Sequence, residues 1–486
     1  MLFNSFQFMI FLPIVFALYW LAGRARDGRR WQNLVVVGSS YVFYGWWDWR
    51  FLSLILLTSV CSYASGLLID RLTGRERMRW LVSAANIVIN LAVLGYFKYA
   101  DFFASNLEAL LLSVFGYHLD WVTTDVVLPV GISFYTFQAL SYSIDVYRGR
   151  LRPTKDLTEF LAFISFFPQL VAGPIERATH LLPQFQRERH FDYGNAVDGL
   201  RQMLWGLLKK VVVADNCATI VNIYWDGYSQ HTGLMLLALG ILFTIQIYCD
   251  FSGYSDIAIG CAKLFGFELM RNFNNPYFSR SIPEFWRRWH ISLTTWFRDY
   301  VYIPMGGNRC AKWRVIVNIY VVWAISGLWH GAGWTFVCWG LFHGTLLALY
   351  YLLGINTKQA HVVAHGRLLP SAKELLQMTL TMLLATLGWI IFRSEDMTQA
   401  VGFISHMVQT LPDNLSVASI YGKRELLMGL AVLLIEWMQR ERQHGLQLGT
   451  GGLLKYSALR LAIYAIAIVI IFMWAGQVQT FIYFQF

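Results

Sequence analysis

The amino-acid sequence predicts an all-α, polytopic membrane protein. Its 486 residues are 56% hydrophobic and only 14% charged, whereas soluble domains carry about 25% charged residues. Lys and Arg outnumber Asp and Glu by 39 to 29, which gives a net charge of +10. These basic residues cluster in short loops between long apolar runs, as the positive-inside rule describes. The composition therefore excludes a nucleic-acid-binding module, a disordered chain and a disulfide-rich secreted scaffold.

A membrane-spanning helix needs about 20 mostly apolar residues, and roughly eleven stretches of the chain approach that length. They are predicted at residues 6–22, 31–47, 51–69, 80–97, 126–147, 233–250, 314–330, 333–353, 374–392, 425–438 and 457–475. Three further apolar stretches contain polar or helix-breaking groups. They are predicted as re-entrant or buried helices, because irregular backbone at membrane depth must be covered by protein. These are residues 160–174, 204–213 with Lys209 and Lys210, and 253–267 with Asp256.

Basic loops determine the predicted orientation in the membrane. Residues 24–30 and 70–79 are strongly basic, so both loops are predicted to be cytoplasmic and the N-terminus to face outside. Between residues 102 and 115, apolar side chains recur at helical spacing opposite polar ones, which predicts an interfacial helix on the outer surface. No linker is long enough to divide the chain, so residues 1–486 are predicted to form a single membrane domain.

The sharpest functional candidate is His330, at the seam of two apolar runs, with no charged residue within ten positions on either side. Polar groups at membrane depth are expensive and are functional candidates by default. Gly327, Gly331 and Gly333 predict a helix break or close helix packing near the ring. We expect open space beside it, because a catalytic base must reach a bound substrate. The alternative is a core histidine that forms hydrogen bonds between helices.

A second candidate site lies in residues 284–309, where tryptophans alternate with arginines around His290. Residues 269–314 contain eight basic and two acidic side chains, which predicts a cytoplasmic location. Such a mixture is typical of an interfacial belt, or of a site for a nucleotide that carries phosphates. In the second interpretation the ligand-binding residues are Trp286, Arg287, Arg288 and Arg298. His290 precedes His330 by 40 residues, so two helices can bring both rings to one cavity.

Two carboxylates, Asp250 and Asp256, form a third candidate set. They have the chemistry of acid/base groups, but an Asp at a helix boundary more often caps the next helix, so a structural role is predicted. The sequence contains no H-E-x-x-H motif, and no metal site is predicted. It also lacks the G-x-S-x-G elbow of a serine hydrolase.

Two motifs resemble the membrane-bound O-acyltransferase superfamily: FWRRWHISLTTWFRDYVYIPMGGN at residues 285–308 and GLWHGAGWTF at residues 327–336. Other segments, among them YCDFSGYSDIAIG and the closing FIYFQF, resemble its bacterial alginate O-acetylase branch. The resemblance extends over essentially the whole chain. In that family the histidine of the W-H-G motif is the proposed catalytic residue and matches His330, and the second polar position matches His290.

The resemblance implies a ring of tilted helices around a central tunnel in the bacterial inner membrane. It also implies transfer of acetyl groups from cytoplasmic acetyl-coenzyme A toward an exopolysaccharide or cell-wall glycan, with no bound cofactor. The expected acceptor is a polysaccharide or peptidoglycan hydroxyl, or an extracytoplasmic transferase partner that completes the delivery. His330 is expected to act as general base. His290 is expected to orient the acceptor or to stabilise the oxyanion, and the arginines to bind phosphates.

A function of another class is compatible with the same residues. A transporter or flippase for a glycan or lipid would use the two histidines as proton-relay groups. Inverted repeats would favour such a protein, and none is evident in the sequence. Consumption of a thioester donor by the purified protein separates the two hypotheses.

Overall fold

The computed structural model describes residues 1–118, 127–171, 173–355, 361–412, 416, 418, 420–449 and 451–482. Every regular element within these ranges is helical, which confirms the predicted all-α fold. Residue 126 at the start of the fifth predicted span, Ala172 and the final residues 483–486 lie outside the described residues.

Ten α-helices cover the chain up to Tyr224. They are α1 (Phe6–Ala22), α2 (Gly28–Asp48), α3 (Leu52–Arg71), α4 (Glu76–Phe115), α5 (Ile132–Tyr147), α6 (Leu157–Ser165), α7 (Phe167–Leu170), α8 (Ala178–Phe185), α9 (Tyr193–Leu207) and α10 (Asp215–Tyr224). A π-helical segment, Leu208–Ala214, joins α9 to α10 without a break.

Nine α-helices follow in the described part of the chain. They are α11 (Gly233–Leu264), α12 (Ile282–Arg288), α13 (Ile291–Phe297), α14 (Lys312–His330), α15 (Trp334–Leu352), α16 (Ala372–Arg393), α17 (Met397–Thr410), α18 (Lys423–Met438) and α19 (Ser457–Trp474). A second π-helical segment, Arg298–Tyr302, continues α13.

Six helical segments of the described chain are long and apolar enough to cross a membrane. They are Gly28–Arg71, Glu76–Phe115, Gly233–Leu264, Trp334–Leu352, Ala372–Arg393 and Ser457–Trp474. Helix α1 is also apolar but has only 17 residues. The chain is therefore a multi-pass membrane protein, whereas the predicted count of about eleven spans is not confirmed.

Helix α4 is one continuous helix, whereas the sequence predicted a span at 80–97 and a separate interfacial helix at 102–115. It continues for 40 residues, which corresponds to about 60 Å at 1.5 Å per residue. No Gly or Pro interrupts the chain between residues 97 and 115, so the backbone hydrogen bonds continue until Gly116, whose φ is +64°. The structure thus corrects the prediction at 102–115: these residues extend the span at 80–97 and are not a separate helix.

The described chain forms two compact units, and the single domain over residues 1–486 stays a prediction. The first unit comprises Met1–Ala196 and Ala262–Met270. In it, α5 is buried along almost its whole length, and polar contacts join it to its neighbours. One is the 3.1 Å contact between the hydroxyls of Ser65 and Ser143. Helices in lipid gain little from apolar contact with each other, so small and polar side chains supply much of their specific association.

The second unit comprises Val197–Cys261 and the described residues from Arg271 onward. Its 32-residue helix α11 carries Asp250 and Asp256, and the π-helical segment carries Lys209 and Lys210. Lys209 Nζ lies 2.7 Å from Asp256 Oδ2. Lys210 Nζ lies 2.8 Å from Asp250 Oδ1. Both lysine side chains are almost completely buried, and such charges are tolerated only when they are paired.

These ion pairs correct two sequence predictions. Asp250 and Asp256 lie inside α11 and do not cap a helix. Residues 253–267 were predicted as a re-entrant or buried helix; they are largely buried, but residues 253–264 are the last part of α11 and not a separate helix. The physical reason is that the two lysines neutralise the carboxylates from a neighbouring segment, so the helix does not have to end where they occur. That compensation comes from residues about 40 positions away and has no local sequence signal.

Candidate active site

His330 is the last residue of α14, and α15 begins after a short turn. The two helices pack backbone against backbone. A Cβ on Gly327 would lie 2.2 Å from the carbonyl oxygen of Phe336, and one on Gly340 would lie 2.1 Å from the carbonyl oxygen of Trp323. Only glycine permits so close an approach. The close packing predicted from the glycines is confirmed, and it holds His330 at the turn between two helices.

The ring of Phe336 fills the space beside Gly331, the residue that follows His330. A Cβ on Gly331 would lie 2.2 Å from the ring of Phe336. The imidazole is surrounded by three further rings, with centroids 4.9 to 5.6 Å away, which belong to Trp329, Trp339 and Phe392. The expectation that the neighbouring glycines leave open space is therefore wrong. The missing side chain at Gly331 makes room for Phe336.

His290 is presented by a sharp turn between α12 and α13. Its φ of +43° lies in the left-handed region, which non-glycine residues rarely adopt. The backbone N–H of Ile291 donates to the carbonyl oxygen of Asn272 at 2.9 Å, and the imidazole Nδ1 lies 3.0 Å from Asn272 Oδ1. An amide oxygen only accepts hydrogen bonds. The proton of the neutral ring is therefore on Nδ1, and Nε2 is an acceptor.

The two histidines selected from the sequence lie side by side. Their ring centroids are 6.4 Å apart, and the two residues are 1% and 3% exposed. Trp329 is in contact with both, at 5.8 Å from His290 and 5.0 Å from His330 between ring centroids. The structure thus joins two distant segments of the chain in one buried pair. Their catalytic roles stay predictions.

Burial lowers the pKa of His290 from its ordinary value of 6.5 to about 3. Removal from water disfavours the charged form of an imidazole, and the rings of Phe251 and Phe273 lie 4.7 and 6.4 Å from this one. His290 is therefore neutral at neutral pH.

Asn272 belongs to this site, and the sequence contains no signal that selects it. Its side chain is fully buried, accepts a hydrogen bond from the Ser292 hydroxyl at 2.9 Å and donates one to Ser255 Oγ at 3.1 Å. An asparagine in a loop is most simply explained as a turn residue. Only the pairing of its backbone with Ile291 brings it to the imidazole of His290.

A cavity of about 410 Å³ opens in the second unit, within the size range of ligand pockets. Its walls include Trp286, Arg287 and Arg298, three of the four residues predicted to bind a phosphate-bearing ligand. Both arginines are exposed, whereas Ser326, which also lines the cavity, is buried. Ser326 precedes His330 by one helical turn on α14. The cavity therefore extends from two exposed guanidinium groups to the neighbourhood of the histidine pair.

Arg288, the fourth of these residues, is not among those that line the cavity. Its Nη2 lies 2.9 Å from Glu284 Oε1, and its Nη1 donates to the carbonyl oxygen of Asn274 at 3.3 Å. Residues 284 and 288 share one face of α12, whereas Arg287 is rotated by about 100° toward the cavity. Among the described residues, no group of three or more His, Cys, Asp or Glu side chains is arranged to hold a metal ion.

Comparison with known proteins identifies similar enzymes. The family model described as MBOAT, membrane-bound O-acyltransferase family, matches residues 150–384, a range that contains both histidines and the cavity. The chain is 42% identical to a probable alginate O-acetylase AlgI of Pseudomonas aeruginosa, over 82% of this chain and 73% of the relative. It is 31% identical to a peptidoglycan O-acetyltransferase of Helicobacter pylori, over 100% of this chain and 98% of the relative.

A more distant relative is the teichoic acid D-alanyltransferase of Bacillus subtilis, which is 30% identical over 46% of this chain and 58% of that protein. The names of the three relatives have acyl transfer in common. The transferred group is acetyl in the first two and D-alanyl in the third.

Proposed function

Since the chain belongs to the membrane-bound O-acyltransferase family and is an O-acyltransferase, we propose that it moves acetyl groups from cytoplasmic acetyl-coenzyme A across the membrane. The acetyl groups are destined for O-acetylation of an exopolysaccharide or cell-wall glycan. The observation that carries the proposal is the buried pair of His290 and His330, one helical turn from a cavity with two exposed arginines. The alginate and peptidoglycan named for the relatives support acetyl as the acyl group and a glycan as the acceptor.

The donor binds in the cavity, with its phosphates at Arg287 and Arg298 and its thioester toward Ser326. A guanidinium group is planar and can donate two parallel hydrogen bonds to a phosphate. These contacts are remote from the reacting carbonyl, so they stabilise the bound donor and the transition state alike.

His330 acts as the general base. Its imidazole accepts the proton of the acceptor hydroxyl while the hydroxyl oxygen attacks the thioester carbonyl carbon. The carbon–sulfur bond then breaks, and the departing thiolate takes the proton from His330. One ester and one thiol replace one thioester and one alcohol, so the histidine returns to its neutral form without an external proton donor.

His290 orients the acceptor hydroxyl. The sequence leaves this role open beside stabilisation of the oxyanion, which requires an N–H donor. Since Nδ1 of His290 donates to Asn272, Nε2 of the neutral ring carries no proton and can only accept, and an acceptor suits a hydroxyl better than an oxyanion.

The chain works with an extracytoplasmic partner in the bacterial inner membrane, with its own N-terminus outside. A hydrated glycan that entered an apolar passage would lose water, and each unpaired hydroxyl would cost about 1 to 3 kcal/mol. A partner side chain that accepts the acetyl group first would avoid much of this cost. Efficient acetylation of a soluble glycan oligomer by the purified chain alone would contradict the need for such a partner.

The test of the proposal is thioester consumption by the purified protein in lipid nanodiscs, with acetyl-coenzyme A and a small alcohol acceptor. We expect His330→Gln to lower the rate by about 10²- to 10⁴-fold, which is typical for loss of a general base. His118→Gln, at a side chain that is 72% exposed, is the matched control and should keep the wild-type rate. A wild-type protein that consumes no thioester would favour the transporter. A folded His330→Gln variant with a normal rate would make His330 a core histidine.

A further inference from the structure

A third buried histidine, His343 on α15, lies near this site and has no role in the mechanism above. It is completely buried, and its Nδ1 accepts a hydrogen bond from the indole Nε1–H of Trp286 at 3.3 Å. An indole nitrogen only donates, so Nδ1 of His343 has no proton and the neutral ring carries its proton on Nε2. The hydrogen bond fixes the orientation of the Trp286 indole.

Trp286 lies in the wall of the proposed donor cavity. Together with Trp323 and Ser326 it lines the cavity, and its ring centroid is 4.5 Å from that of Trp323. Ser326 and His330 are neighbours on the same face of α14, about 6 Å apart along the helix axis. An acyl group bound in the cavity must therefore pass these indoles to reach His330.

Aromatic rings also line the path from Ser326 to His330. The ring of Trp286 lies 5.6 Å from that of Trp339, and Trp339 lies 4.9 Å from His330. Trp339 is fully buried and Trp286 is 6% exposed. Close-packed indoles yield little to an additional methylene group, so a longer acyl chain meets a rigid obstacle.

We propose that Trp286, held in place by His343, selects the size of the transferred acyl group by admitting acetyl and excluding longer chains. Trp286 is the specificity-determining residue, and His343 is a positioning residue that acts through it. This inference rests on the proposed function, because it requires the donor to bind in the cavity that Trp286 lines.

The first test compares kcat/KM for acetyl-, propionyl- and butyryl-coenzyme A in thioester consumption. One methylene group in a fitted apolar pocket changes kcat/KM by about 10- to 200-fold, so the wild-type protein should prefer acetyl over butyryl by at least that factor. Trp286→Leu should lower this preference about tenfold or more, chiefly through faster turnover of the butyryl donor. A Trp286→Leu variant that turns over acetyl groups with the wild-type preference would overturn the proposal.

The second test isolates the hydrogen bond with two substitutions of equal shape. His343→Asn keeps an acceptor close to the position of Nδ1, whereas His343→Leu removes it. We expect the leucine variant to lose acetyl preference and the asparagine variant to retain it. Equal loss in both variants would show that only the volume of the histidine matters and would overturn the positioning role.

If neither His343 variant can be purified, Trp286→Phe removes the indole N–H that donates to His343. This variant should lower the acetyl preference as His343→Leu does. Unchanged preference in Trp286→Phe would contradict the inference. Failure of the proposed function looks different, because the wild-type protein would then consume no thioester of any length.

Discussion

At the scale of single residues, burial determines the protonation of His290. Its pKa of about 3 in the folded protein lies below the ordinary value of 6.5, so between these values the folded state binds fewer protons than the unfolded state. The free energy of unfolding is therefore unaffected by this histidine above pH 6.5 and decreases as the pH falls from 6.5 toward 3. We expect wild-type protein to lose about 2 kcal/mol more stability than His290→Gln between about pH 7.5 and pH 5, at 1.36 kcal/mol per pKa unit.

The measurement is the unfolding temperature of both proteins in detergent at the two pH values. The substitution leaves all other titrating groups in place, so their contributions cancel in the comparison. Equal losses in the two proteins would show that His290 is not held neutral by burial.

The arginines of the cavity support a second prediction at the residue scale. Arg287→Gln and Arg298→Gln should raise the KM for acetyl-coenzyme A by about tenfold and change kcat little, because a phosphate contact far from the carbonyl contributes uniform binding. Steady-state kinetics with varied donor is the measurement. Arg309→Gln, at an exposed arginine that does not line the cavity, is the matched control. A fall in kcat without a change in KM would place the phosphates elsewhere.

At the scale of secondary-structure elements, the contact between α14 and α15 positions His330. A Cβ on Gly340 would lie 2.1 Å from the carbonyl oxygen of Trp323, so Gly340→Ala should separate the helices and cost about 1 to 3 kcal/mol or more. Gly95→Ala in α4 is the control, since no atom lies within 4 Å of that Cβ position. Unfolding temperature and transfer rate should fall for Gly340→Ala only. Equal behaviour of the two variants would contradict backbone-to-backbone packing.

At the scale of the whole molecule, orientation in the membrane can be measured by cysteine labelling. Arg309→Cys, in the basic stretch predicted to be cytoplasmic, should react with an impermeant maleimide in inverted vesicles but not in intact cells. Trp49→Cys should do the opposite, because the turn at Trp49, which is 74% exposed, follows the second predicted span. Labelling of Arg309→Cys from the outside would reverse the predicted topology.

Long apolar runs in the sequence predicted the longest helices of the described chain. The predicted stretches 6–22, 314–330 and 374–392 agree with α1, α14 and α16 to within two residues at each end. A helix satisfies its backbone hydrogen bonds internally, so an apolar run of sufficient length specifies a membrane helix wherever its neighbours lie. The prediction was wrong where polar side chains interrupt an apolar run, as at Asp256, because their cost depends on partners from other segments.

The sequence by itself determined the all-α membrane fold, the family and the two histidines, because hydropathy and motif spacing are local properties of the chain. Only the tertiary structure decided which polar groups meet. It placed His290 6.4 Å from His330, gave His290 its partner Asn272, and turned Arg288 away from the cavity that Arg287 lines. Contacts of this kind depend on how helices distant in sequence pack. Neighbouring residues on a helix point about 100° apart, so a small change in packing decides which side chain faces a site.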